Sequence, residues 1–219
     1  VAVRPVGDTG WLLEPPATGD PVRDAATVLA LAEQVRRGPA RALAVDVVPA
    51  AATVLVTGSP AHHRELGGLL EHLVAAAVPE TAAGPAGSVA GPVDVVLGVR
   101  FDGPDLTEVA DLVGTSPVEV VRRVTGAVWT VAFTGFAPGF GYLVGGGLAV
   151  PRLDSPRRRV PPGSLGLAGP YAGMYPRASP GGWRLVGTLA EPSPTLFDPV
   201  RRPPALLPPG ARVRFAAAP

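Results

Sequence analysis

Three places along the chain repeat one arrangement: a short polar residue, then proline, then apolar positions at helical spacing. After Asp20-Pro21, the residues Val28, Leu31, Ala32 and Val35 recur at i, i+3, i+4 and i+7, and Gly38 closes the run. After Ser59-Pro60, Leu66, Leu69, Leu70, Leu73 and Ala77 mark one face, so the spacing predicts a second helix. After Ser116-Pro117, Val118, Val121 and Val124 recur three apart, and Glu119 stands where it would close a capping box. Val124 is therefore expected on or near the buried side of its helix. The short "PDLTEVADLV" just before reads as one more helix.

Between the first two helices, "ALAVDVV" and "ATVLVTG" read as strands joined by a tight turn around Pro49. With "VAVRP" and "GWLLE" at the start, residues 1–80 read β-β-α-β-β-α, a small α+β domain. The Gly- and Pro-rich "PETAAGPAGSVAGP" follows, and residues 81–92 are expected to be an interdomain linker. From 93 to 219 the pattern changes: "VDVVLGVRF", the helical pair, then "AVWTVAF", "LAV", "SLGLA", "WRLVGTL" and "ARVRF" between turn signals. Short strands at close intervals predict a mainly-β barrel or sandwich.

Composition sharpens this. The chain has 219 residues, 28 of them glycine and 28 proline, yet runs such as "VDVVLGV" require a folded, turn-rich core rather than disorder. A net charge of +1 provides no electrostatic pull toward nucleic acid or anionic lipid. No apolar run approaches the ~20 residues that span a bilayer, and "VAVRPVGDTG" has no secretory character, so a cytoplasmic location is expected. Cysteine is absent, which removes thiol nucleophiles and thiolate metal sites from this chain. All 19 basic residues are arginine. Without lysine there is no P-loop lysine and no Schiff base, so an anion must be held by guanidinium forks, backbone N–H groups or helix ends.

Candidate chemistry lies in the second half. "FTGFAPGFGYL", Phe133 to Leu143, departs from a dinucleotide fingerprint because Val144 occupies the third glycine position. It reads either as a kinked corner packing Phe136, Phe140 and Tyr142 inward, or as a pocket wall where glycines admit a ligand to the backbone. "PRLDSPRRRVPPGS" places Arg152, Arg157, Arg158 and Arg159 close together, as an exposed loop or as an anion clamp. "AGPYAGMYPRASPGGWRLVG" combines Tyr171, Tyr175, Ser179 and Trp183 with turn glycines. Ser179 has no histidine in this half to activate it. His62, His63 and His72 belong to the second helix and read as neutral surface or rim residues, with no metal site expected.

The order of five segments carries a resemblance. "GPDLTEVADLVGTSPVEVV", "GFAPGFGYL", "PRLDSPRRRVPPGS", "AGMYPRASPGGWRLVG" and "LFDPVRRPPALLPPGARVRF" resemble the subunit-1 family of allophanate hydrolase, which includes the B component of 5-oxoprolinase (PxpB) and the kinase inhibitor KipI. The resemblance runs from about Val93 to Phe215; "GDTGWLLE" and "VVPAAATVLVTG" sit where the family has its opening strands. It implies a cyclophilin-like β-barrel after the α+β domain. It also implies a separate partner, the subunit-2 protein or C component of 5-oxoprolinase (KipA-type), with a LamB/YcsF-type A component as a further member. The activity implied is ATP-dependent opening of a small amide, 5-oxoproline, to glutamate, with ATP acting through the complex and no activity expected of the single chain. A KipI-like kinase regulator and a carboxyltransferase half-site are the rival readings.

On this resemblance Phe136, Pro138, Gly139 and Tyr142 form a pocket wall, and Arg152, Arg157 and Arg159 hold an anion. Tyr171, Gly173, Tyr175, Ser179 and Gly181 complete the surface, and Trp183, expected to be exposed, anchors an interface. No general base is identified. Family members commonly carry histidine followed by Thr or Ser where this chain has Val124-Thr125, and glutamine where it has Tyr171. A histidine at 124 is expected to reach toward "GFAPGF".

Overall fold

The structure, a computed structural model, describes residues 1–76 and 94–219. The expected linker at 81–92 lies outside the described residues, as does Ala77. The chain divides into two compact units, Val1–Ser88 and Val89–Pro219.

In the first unit, strands β1 (Ala2–Val6) and β2 (Gly10–Glu14) precede helix α1 (Pro21–Arg37). Strands β3 (Ala44–Pro49) and β4 (Val54–Gly58) then lead to helix α2 (His63–Ala76). The sheet is antiparallel in the order β1-β2-β4-β3. Helix α1 starts at the proline because the Asp20 carboxylate accepts from the Val22 and Arg23 amides, at 2.9 and 3.3 Å. Its Val28, Leu31, Ala32 and Val35 are buried against Leu13, Val47 and Val56 of the sheet and Leu66 and Leu70 of α2. The second helix differs from expectation at its start. Pro60–His62 form a 3-10 turn, and α2 begins only at His63, whose ring stacks on Trp11 at 4.7 Å while its carbonyl accepts from the indole N–H.

The second unit runs β5 (Val95–Arg100), α3 (Leu106–Leu112), α4 (Pro117–Gly126), β6 (Trp129–Thr134) and β7 (Gly141–Val144). It continues with β8 (Arg157–Val160), β9 (Ser164–Ala168), β10 (Tyr171–Met174), β11 (Ser179–Gly181), β12 (Arg184–Leu189) and β13 (Arg212–Ala217). Seven of these strands close a barrel in the order β10-β7-β6-β13-β5-β12-β9, and β8 pairs with β11 as a separate ribbon. The barrel expected of this half is present and closed. The closing pair β5–β13 is parallel, and the other barrel pairs are antiparallel. The expected strand "LAV" supplies only a single bridge, Val150 to Gly169.

Side-chain alternation explains how this barrel carries a second layer. On β9, Leu165 and Leu167 enter the main core with Ala172 and Met174 of β10, while Gly166 and Ala168 face outward. Every residue of β9 is nevertheless buried, because the outward face is covered by aromatic side chains.

Helix α4 corrects two details. Its buried residues are Val120 and Val124, an i, i+4 pair, whereas Val118 is 78% exposed; a three-residue repeat drifts off one face of a helix with 3.6 residues per turn. The Ser116 hydroxyl accepts from the Glu119 amide at 3.2 Å, but the Glu119 carboxylate turns to Arg122 and Arg123 at 2.6 and 3.0 Å. Hydrogen bonds from those two arginines lower its pKa to about 2. Among the described residues, no helix is long and apolar enough to cross a membrane.

Candidate functional site

The segment from Phe133 to Leu143 is the turn from β6 to β7, and it is both a corner and a wall. Phe136 has φ +64°, the left-handed backbone that a non-glycine residue rarely adopts, and its ring is 58% exposed. Of the two readings of this segment, inward packing does not hold for Phe136: the backbone turns it outward, leaving one edge of its ring against Phe140 (5.3 Å) and Tyr175 (6.1 Å). Gly139 has φ +85°, and a Cβ there would stand 2.7 Å from Cβ of Phe197, so this turn needs glycine for two reasons. Phe140 and Tyr142 do pack inward, fully and partly buried respectively.

Phe140 is the centre of an aromatic layer on the barrel's outer face. Its ring meets Tyr142, Tyr175 and Trp183 edge-on at 5.1, 5.2 and 5.2 Å. Tyr142 stacks on Phe133 at 4.3 Å and meets Tyr171 at 5.8 Å. Beneath the layer, Gly166 and Gly173 face each other across the β9–β10 pair. A Cβ on Gly173 would lie 2.7 Å from Phe140, so this floor must stay bare. Gly181 similarly leaves room for the Tyr175 hydroxyl, which takes a hydrogen bond from the Trp183 main chain. The expected exposed Trp183 is corrected: the indole is 5% exposed, packed against the bare backbone of Gly166 and Gly173 and edge-on to Phe140 and Tyr142 instead of projecting from the layer. Burial pushes the pKa values of Tyr142 and Tyr175 up, with Arg152 opposing the shift in both.

The arginines separate into different roles. Arg157, expected to hold an anion, is committed to Asp105: Nη2 lies 2.5 Å from Oδ1, and Nη1 donates to the Trp183 carbonyl at 3.3 Å. The other oxygen of Asp105, a residue only 5% exposed, accepts from the Leu185 amide at 2.6 Å. Arg157 therefore ties the β8–β11 ribbon to the barrel. Arg184 is buried as well, bonded to Glu108 and to the Pro151 carbonyl. Arg152 is exposed near the Tyr142 and Tyr175 hydroxyls, and Arg159 is exposed on β8. The Ser179 hydroxyl oxygen is covered, with no hydrogen-bond partner among the described residues. Val124 packs in the main core, where its carbonyl accepts from the Trp129 indole, and not with the aromatic layer around "GFAPGF".

One end of the barrel opens into a cleft of about 620 Å³. Its walls include Pro138 and Tyr175 from the expected set, joined by Arg100, Arg177, Thr188 and Phe197, which sequence reasoning did not single out. One side is a strap from Glu191 to Phe197. Arg201 pins this strap by donating to the carbonyls of Thr195 (3.0 Å), Leu196 (3.4 Å), Pro203 (3.3 Å) and Pro204 (2.8 Å). Nothing in the hydrophobic pattern marks it, since "EPSPTLFDPVRRPP" reads only as loop.

A closed barrel with an aromatic layer on one face and a polar cleft at one mouth, in a chain with a separate sheet-and-helix unit, defines a two-unit barrel protein. The match to the carboxyltransferase domain, subdomain C and D, covers residues 1–207, and the chain belongs to that family. It is 48% identical over 115 residues to the B component of 5-oxoprolinase from Escherichia coli O157:H7, covering 52% of this chain and 51% of that protein. It is 44% identical over 125 residues to the B component of 5-oxoprolinase from Bacillus subtilis (strain 168), covering 56% and 50%. The matches thus span about half the length of these curated relatives. The crystal structure of TTHA0988 superposes with a TM-score of 0.73 at 34% identity, over 96% of this chain and 40% of that one. Urea carboxylase of Kluyveromyces lactis superposes with a TM-score of 0.69 over 99% of this chain and 22% of that one; at 17% identity this is a likeness of fold.

Proposed function

We propose that the chain is the B-type component of a heteromeric, ATP-dependent 5-oxoprolinase, an amide hydrolase that opens 5-oxoproline to glutamate. The observation that carries this reading is the 48% identity over 115 residues to a protein of that name. Its partners in this reading are a KipA-type C component and a LamB/YcsF-type A component. Domain boundaries at 1–80 and 93–219, with a cyclophilin-like barrel in the second, belong to the same proposal.

The chemistry divides between the chains. With no lysine, this chain has no means of building a P-loop, and in this reading ATP acts through the complex and need not be bound by this chain. Opening a lactam develops negative charge on the amide oxygen, which preorganised donors stabilise. Here the donors near the aromatic wall are Arg152 and the Gly139 main-chain N–H, since Pro138 has none and the Ala137 and Phe140 amides already donate to the Gly135 and Ala137 carbonyls; Arg157 positions the ribbon instead. The test is co-purification with the neighbouring gene products, followed by 5-oxoproline-dependent ATP hydrolysis and glutamate release. Turnover by the assembly and none by the single chain is the expected result. An assembly inert toward 5-oxoproline, or a single chain that turns it over, overturns the reading. The family's carboxyltransferase description favours a second reading, a carboxyl-transfer half-site, which predicts exchange with a carboxylated biotin carrier instead.

A further inference from the structure

The cleft at the barrel mouth has a definite chemical character. It is formed where the ends of several strands meet: Arg100 at the end of β5 pairs with Thr188 of β12, and Tyr175 follows β10. Barrel mouths are a preferred place for small ligands, and about 620 Å³ lies within the range of roughly 300–1,000 Å³ typical of such sites. Leu189 and Leu196, both nearly buried, seal its base, and Pro138, Pro162 and Phe197 give it apolar walls. The strap held by Arg201 makes the outer wall part of the folded structure rather than something a ligand must order.

The charges decide what fits. Arg100 is shared with Asp102 at 3.4 Å. Glu191 lines the cleft, but its carboxylate oxygens are taken by the Ser193 amide and hydroxyl at 3.0 and 3.2 Å. Arg177 lines it too, and has no hydrogen-bond or ion-pair partner among the described residues. A cleft lined by one uncommitted guanidinium and a single, locally satisfied carboxylate suits a monoanion. A dianionic phosphate would lack a second free cation and would sit near Glu191. The planar fork of arginine matches a carboxylate with two parallel N–H···O bonds.

We infer that this cleft binds a small monocarboxylate with a compact, largely apolar body, its carboxylate on Arg177 and its body against Pro138, Tyr175 and Phe197. The identity of the physiological ligand as 5-oxoproline rests on the function proposed above; the site and its chemical class do not. The test titrates three probes into the full chain by calorimetry, with amide chemical shifts locating the site. These are L-5-oxoproline, cyclopentanecarboxylate of similar size but without the lactam, and L-pyroglutamamide, which keeps the lactam but has no carboxylate. Binding of either carboxylate, weakened about tenfold or more by Arg177→Gln and by loss of the carboxylate, with shifts over residues 188–197, upholds the site. Binding of cyclopentanecarboxylate but not of 5-oxoproline also upholds it, and the failure then belongs to the 5-oxoproline reading. If neither carboxylate binds, or Arg177→Gln leaves their affinity unchanged, the inference is overturned, even where the assembled complex hydrolyses 5-oxoproline. Arg177 is exposed, so its replacement tests binding without threatening the fold.

Discussion

At the scale of single residues, Val124 decides how a family difference is to be understood. The side chain is fully buried in the main barrel core, apart from the aromatic layer. An imidazole there would meet apolar neighbours and leave a ring nitrogen unbonded, at a cost of about 1–3 kcal/mol. Val124→His is therefore expected to lower the denaturation midpoint without raising turnover by the assembly. A gain of roughly 10²–10⁴-fold would instead make position 124 a proton-transfer site. The buried tyrosines make a second prediction. Burial raises the pKa of Tyr142 and Tyr175, so folding holds their protons. Their contribution is fully present below the unfolded value of about 10, and is lost as pH climbs from there through the folded values. Tyrosinate absorbance from both should develop above pH 10 and track the loss of folded signal. Tyr142→Phe and Tyr175→Phe should each remove part of it; ionisation at the ordinary pH with the fold intact would contradict the burial.

At the scale of elements, the β8–β11 ribbon depends on one carboxylate. Asp105 accepts from Arg157 on the ribbon and from the Leu185 amide on β12. Breaking a buried pair costs about 3–5 kcal/mol, and the partial exposure of Arg157 reduces this to about 2–3 kcal/mol. Asp105→Asn should lower urea stability by that amount and expose Trp183, read as a red shift in its fluorescence. An unchanged midpoint would show that the ribbon is held by the aromatic layer alone. No pattern in the sequence announces this pair, because its members are 52 residues apart and each looks like an ordinary surface charge. Helices α1 and α4 were legible at their starts, since Asp20-Pro21 and Ser116-Pro117 are local signals that local hydrogen bonds satisfy. Strands β7, β10 and β11 were not, because their glycines break the apolar alternation to make room for rings from elsewhere. The aromatic membership of the site could be read from composition. Its geometry could not: whether Trp183 projects or is buried depends on Gly166 and Gly173, which sit on other strands.

At the scale of the whole molecule, each unit has its own core, and the candidate chemistry belongs entirely to the barrel unit. That barrel is closed by β5 and β13, the first and last of its strands, with the Arg212 amide bonded to Asp94 across 118 residues. Joining such distant segments carries a loop-closure entropy that local hairpins avoid, so this pairing should form late. Until it forms, β5 and β6 each present an unpaired edge, a template for another chain. Pulse-labelling hydrogen exchange during refolding should therefore protect the β9–β10 amides before those of β5 and β13. Simultaneous protection would refute the sequence of events. A nascent chain on the ribosome meets the same condition, and for most of its synthesis the barrel unit is an open, sticky sheet in need of a chaperone or of speed.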